Sequence, residues 1–80
     1  MNDHYSDAVA AWQAEDTLEL DELAAYKLWL TTALRRHAHH TTMRKTLAAH
    51  YTDIVWYINR CKRKYEVTYG QAYRLPSQRA

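Results

Sequence analysis

The densest cluster of reactive side chains in this 80-residue sequence is Arg35, Arg36, His37, His39 and His40, followed at once by Thr41, Thr42, Arg44 and Lys45. Histidines three apart, such as His37 and His40, share one face of a helix and are good metal ligands, but a stable zinc site takes three or four donors. Only His50 lies near enough in sequence to join them, so no metal is expected. Anion binding suits the cluster better. If a helix begins after Thr41 or Thr42, its free backbone N–H groups, the two hydroxyls and the cationic side chains converge on one tip. Phosphate or a partner's carboxylates would fit there, and more tightly once the histidines are protonated below about pH 6.5. The competing reading is a solvated, highly charged turn.

Catalytic chemistry finds little support. There is no glycine-rich phosphate loop, the two serines, Ser6 and Ser77, lie near the ends, and the single cysteine, Cys61, falls on an apolar stripe where a thiol is usually inert. His50 and Asp53 can touch across one helical turn, yet nothing nearby supplies a nucleophile or a pocket. The expectation is a protein that is not an enzyme and holds no cofactor. His4 suggests no role.

A second basic run, Arg60, Lys62, Arg63 and Lys64, resembles a phosphate-contacting patch. Its meaning depends on how charge is distributed along the chain. Formal net charge is only +2, but Met1 to Glu22 contains seven acids and no lysine or arginine, whereas the rest holds all 11 bases and two acids, Asp53 and Glu66. Such asymmetry is informative about partners and about internal pairing.

The elements that must position these groups are helical. One glycine and one proline, both near the C-terminus, leave no punctuation for a β protein. Periodicity predicts a short helix over about 6–15, carrying Tyr5, Ala8, Val9 and Trp12 and capped by Ser6 or Asp3. A second covers about 17–39, capped by Asp16 or Thr17, with Leu20, Leu23, Tyr26, Leu30, Ala33, Leu34 and His37 on its apolar face. A third covers about 42–69, its stripe running through Met43, Leu47, Tyr51, Ile54, Ile58, Cys61 and Tyr65, with Gly70 as a left-handed terminator. A hairpin turning at Gly70-Gln71 is the alternative ending. Residues 1–72 then form one helical domain, and 73–80 an extended or frayed tail.

The short link at 40–42 makes the second and third helices antiparallel, matching Leu34 with Leu47, Leu30 with Tyr51, Leu23 with Ile58 and Leu20 with Cys61. The fold class is therefore all-α: a long antiparallel hairpin plus a short N-terminal helix, assembling as a dimeric helical bundle. Pairing the arms brings Asp16, Glu19, Asp21 and Glu22 beside Arg60, Lys62, Arg63 and Lys64, so those opposite charges are expected to face each other, while no acid reaches the tip.

Trp56 falls outside the apolar stripe, about half a turn from Ile54 and Ile58. The simplest account places the first helix over it, with Tyr5, Val9 and Trp12 on the indole. Leu28, Trp29, Val55 and Tyr57 still remain beside the seam, more apolar surface than one short helix covers, and exposed patches of that kind mark association. The functional expectation is a small non-catalytic regulator or inhibitor that masks a surface of a host protein or protein–nucleic acid machine. Leu28, Trp29, Trp56, Tyr57, Arg35, Arg36, Arg44 and Lys45 would make the contact, and the chain would also pair with itself. By type it resembles phage or mobile-element products. One alternative is a nucleic-acid binder using the basic helix ends, Arg60, Lys62, Arg63 and Lys64 on phosphates and Trp56 on a base; another is a structural homo-oligomer. Neither a signal peptide nor a stretch able to span a bilayer is evident, which suggests a cytoplasmic protein without a membrane partner.

Overall fold

A computed structural model describes residues 3–79. Two helices dominate: α1, Asp3–Arg36, and α2, Thr41–Tyr69, followed by a short 3₁₀ turn, Pro76–Gln78. The all-helical hairpin is as the periodicity predicts; the separate N-terminal helix is not. Residues 6–15 and 17–36 lie in one unbroken rod, Asp3–Arg36, of 34 residues. The residues expected to start a new helix are engaged otherwise. The Thr17 hydroxyl donates to the Gln13 carbonyl, 2.7 Å away and four residues back, and Asp16 accepts from the Tyr69 hydroxyl. A threonine bonded that way sits inside a helix and does not cap one, and with neither Gly nor Pro in the segment nothing breaks it.

At the bend, α1 ends at Arg36, three residues before the expected His39, and His37–His39 form a turn closed by the His40 N–H donating to the His37 carbonyl. His40, in place of Thr41 or Thr42, caps α2: its backbone is extended and its Nδ1 accepts the Met43 N–H at 3.2 Å. Gly70 ends α2 with φ of 67°, and its N–H returns to the Glu66 carbonyl. This is the left-handed terminator expected from sequence, and the alternative hairpin does not form. A positive φ is the reason glycine stands there.

The arms pack through a narrow seam. Leu20, Leu30, Leu47, Ile58 and Tyr65 are buried, and among the described residues Leu30 is the one side chain fully enclosed. Leu23, Ala33, Leu34, His37, Tyr51, Ile54 and Cys61 are half-buried. Tyr26 and Met43, expected on the seam, lie at its margins, 40% and 41% exposed. Leu20, Leu23 and Cys61 line one cleft, in keeping with the antiparallel register. The molecule measures 61 × 23 × 16 Å with a radius of gyration of 16.4 Å, against about 12 Å for a compact chain of this length.

α1 outruns α2. Gln13 meets Tyr65 and Gln71, and Asp16 meets Tyr69, so the first ten residues of α1, about 15 Å of helix, extend past Gly70. Tyr5 and Trp12 on this extension are 67% and 55% exposed. The expected docking over Trp56 is geometrically excluded, because the segment continues the α1 axis outward in place of folding back.

Candidate interaction surface

The side chains proposed for partner contact do not form one patch. Trp56 is 63% exposed on the outer side of α2, with the Arg60 guanidinium over its ring at 5.4 Å. Trp29, 58% exposed, stacks on Tyr26 with ring centroids 5.8 Å apart and planes nearly parallel. Leu28, 68% exposed, borders a groove of about 490 Å³ shared by Ala24, Thr31, Ile58, Leu75 and Pro76. Tyr57 lies on the opposite flank, beside the cleft of Leu20, Leu23 and Cys61. Arg35, Arg36, Arg44 and Lys45 are all exposed at the bend. The structure thus gathers the tip cations together and distributes the apolar candidates over three separate faces.

The expected neutralisation between the open ends takes a different form. Among the described residues the sole ion pair joins Asp21 to Arg79 of the tail, at 2.6 Å. Lys64 shares a cleft with Asp16 and Glu19, and Lys62 shares the groove with Asp21, but neither lysine closes to a pair. Arg60 is given to Trp56 instead. Exposed long side chains gain little from pairing in water, whereas Arg79 presents two nitrogens to one carboxylate, Nη1 to Oδ2 at 3.1 Å and Nη2 to Oδ1 at 2.6 Å. That fork geometry favours arginine.

The tail is an ordered strap built around tyrosines, which sequence reasoning missed. Tyr65 is the hub: its hydroxyl accepts from Gln13 Nε2 at 3.1 Å and donates to the Thr17 hydroxyl oxygen at 2.9 Å, the Thr17 proton being engaged by the Gln13 carbonyl. Its ring meets those of Tyr69 and Tyr73 edge-on, at 4.9 and 6.0 Å. Tyr73 donates to Asp21 at 2.6 Å, and Arg79 lies over the Tyr73 ring. Leu75 and Pro76 then cover part of the groove beside Leu28. The spacing of Tyr65, Tyr69 and Tyr73 by four was visible in the sequence. Its use was not, because Tyr73 lies beyond the helix and meets a carboxylate 52 residues away.

These contacts set the titration of the strap. Hydrogen bonds from Arg79 and then Tyr73 hold the Asp21 carboxyl below its ordinary value. The bond to Asp16 pushes Tyr69 up to about 12, and burial, followed by the bond to Asp21, pushes Tyr73 up to about 12. Since a lowered carboxyl stabilises the fold above its unfolded value, the Asp21 contribution is complete above about pH 4 and is lost as pH falls through the lower, folded value. A raised tyrosine behaves oppositely: its contribution is complete below about pH 10 and is lost as pH rises toward 12. In an alkaline titration followed by tyrosinate absorbance, Tyr69 and Tyr73 are expected to ionise last, and Tyr73→Phe to remove one late step. Ionisation of all tyrosines near pH 10 in the folded protein would contradict the strap.

Among the described residues no three histidine, cysteine, aspartate or glutamate side chains come together as a metal would require. No helix there is long and apolar enough to cross a membrane. The described residues present aromatic edges, a basic tip and a strapped groove. No family model, no curated protein and no solved structure matches it.

Proposed function

We propose that this chain is a non-catalytic protein-binding regulator, a helical hairpin that works by occupying a surface of a partner protein or of a protein–nucleic acid machine, and that it also associates with itself. The observation that carries this reading is the imbalance of its apolar residues. Among the described residues five are buried, while ten large ones are exposed, including Trp12, Leu28, Trp29, Trp56 and Tyr57. A seam of five residues gives an 80-residue chain only marginal stability, and Trp, Tyr and Arg on the outside are the residue types that dominate binding energy at protein interfaces. Trp29, Leu28, Trp56 and Tyr57 are the anchors of the proposal; Arg35, Arg36, Arg44 and Lys45 supply electrostatic steering toward an acidic partner.

A second reading, nucleic-acid binding, draws on Arg60 stacked at Trp56 and on a tip whose cations have no carboxylate within pairing distance among the described residues. The two separate in one experiment. The immobilised protein and its Trp29→Ala/Trp56→Ala variant are exposed to cell extract with and without nuclease, at low and moderate salt. Protein binding predicts a retained polypeptide that survives nuclease and moderate salt and is lost with the tryptophans. Phosphate contact predicts retention that nuclease abolishes and that falls steeply with salt.

A further inference from the structure

Each helix carries a second stripe opposite the seam. On α1 the seam runs through Leu20, Leu23, Lys27, Leu30 and Leu34, all buried or half-buried. Offset by about half a turn, Ala11, Glu15, Leu18, Glu22, Ala25 and Trp29 are all exposed. On α2 the seam of Leu47, Tyr51, Ile54, Ile58, Cys61 and Tyr65 is matched in the same way by exposed Ala49, Thr52, Trp56, Arg60, Arg63 and Val67. Both outer stripes repeat at alternating intervals of about three and four residues, the spacing of helix-packing positions. One edge of the slab is thus apolar and acidic, the other apolar and basic.

We propose that the partner of these edges is a second copy of this chain, the outer stripe of α1 in one copy packing against the outer stripe of α2 in the next. The proposal rests on the protein-binding reading above and names an occupant for its tryptophan-bearing edges. Two observations favour self-recognition. The first is charge. Glu15 and Glu22 face no base along their own stripe, Arg60 and Arg63 face no acid along theirs, and among the described residues none of the four is in an ion pair.

The second is size. Inside the molecule Thr17 meets Tyr65 across the antiparallel seam. Carried over to the outer edges, the same register sets Glu22 against Arg60, Ala25 against Trp56, and Trp29 against Thr52. Each indole then meets a small residue, as interdigitating helices require. One like-charged pair, Arg36 against Lys45, falls at the tip, where both side chains are exposed and salt screens their repulsion over about 8 Å at physiological ionic strength. Because the two edges lie on opposite sides, the contact is heterologous and does not close on itself, so copies add without a fixed number.

Sedimentation velocity over a dilution series tests this with the wild type and two edge variants, Glu15→Lys/Glu22→Lys and Arg60→Glu/Arg63→Glu. All four positions are exposed, and circular dichroism checks that each variant stays helical. Wild-type mass is expected to climb with concentration past two copies. Each variant alone, with two edges of like sign, is expected to associate at least tenfold more weakly, and an equimolar mixture to regain assembly, since each exchanged edge then finds its opposite. Mass that stops at two copies, variants that associate like the wild type, or a mixture that stays dissociated would overturn the arrangement. A monomeric wild type that still retains a foreign polypeptide through Trp29 and Trp56 overturns it too, while leaving the protein-binding reading intact.

Discussion

Leu30→Ala is expected to destabilise the hairpin by about 2–5 kcal/mol, the range for truncating an enclosed leucine that leaves a cavity. Among the described residues Leu30 is the only fully enclosed side chain, and it lies in the seam between α1 and α2. A core this small supplies roughly 3–5 kcal/mol of net stability. The variant should therefore be largely unfolded at room temperature, seen as loss of helical circular dichroism or as a urea midpoint near zero. A change within about half a kcal/mol, the range of ordinary surface substitutions, would mean that the seam does not run through Leu30.

Tyr65→Ala should be comparably severe, about 3–5 kcal/mol by analogy with other buried aromatic truncations, but for a different reason. Tyr65 is 8% exposed and joins three parts of the molecule: Gln13 and Thr17 of α1, Tyr69 at the end of α2, and Tyr73 of the strap. Its loss should release residues 71–79 together with the ends of the helices, so amide exchange should rise there first. Tyr65→Phe keeps the ring and loses only the hydroxyl, and should cost about 1 kcal/mol, the usual net worth of a hydrogen bond. Equal effects of the two substitutions would show that the hydroxyl network, and not the packing of the ring, holds the open end.

The parts of the structure that were legible in the sequence are those encoded by local repetition. The stripe from Leu47 to Tyr65 advances by threes and fours and does line the seam, with Leu47, Ile58 and Tyr65 buried. Gly70 ends α2 because glycine alone takes its backbone conformation without strain. The offset of Trp56 from that stripe was legible too, but its exposure was not, because the segment expected to cover the indole continues α1 outward. Where reading failed, a local signal was outvoted by something distant. Asp16 and Thr17 are good helix caps by type, but Tyr69, Gln13 and Tyr65 engage them, and no breaker interrupts α1. The strap has no periodicity, and its anchor pairs Asp21 with Arg79, 58 residues apart. The charge asymmetry was visible, yet the neutralising base came from the tail and not from the run at Arg60 to Lys64.

That last difference governs the functional reading. Had the acids of α1 and the bases of α2 been consumed by each other, the edges would be electrostatically quiet and only the tip would stand out. They are instead open, with an indole on each edge, on a rod whose own core is five residues wide. Burying such edges against another polypeptide stabilises the fold by mass action, because only the folded chain presents them.

The thermal midpoint as a function of protein concentration therefore addresses the central claim most directly. If the exposed edges are contact surfaces that the chain also uses with itself, the midpoint should rise steadily from dilute to concentrated samples, and Trp29→Ala/Trp56→Ala should flatten that rise. A midpoint that stays constant across the whole range in the wild type would mean that these edges carry no association.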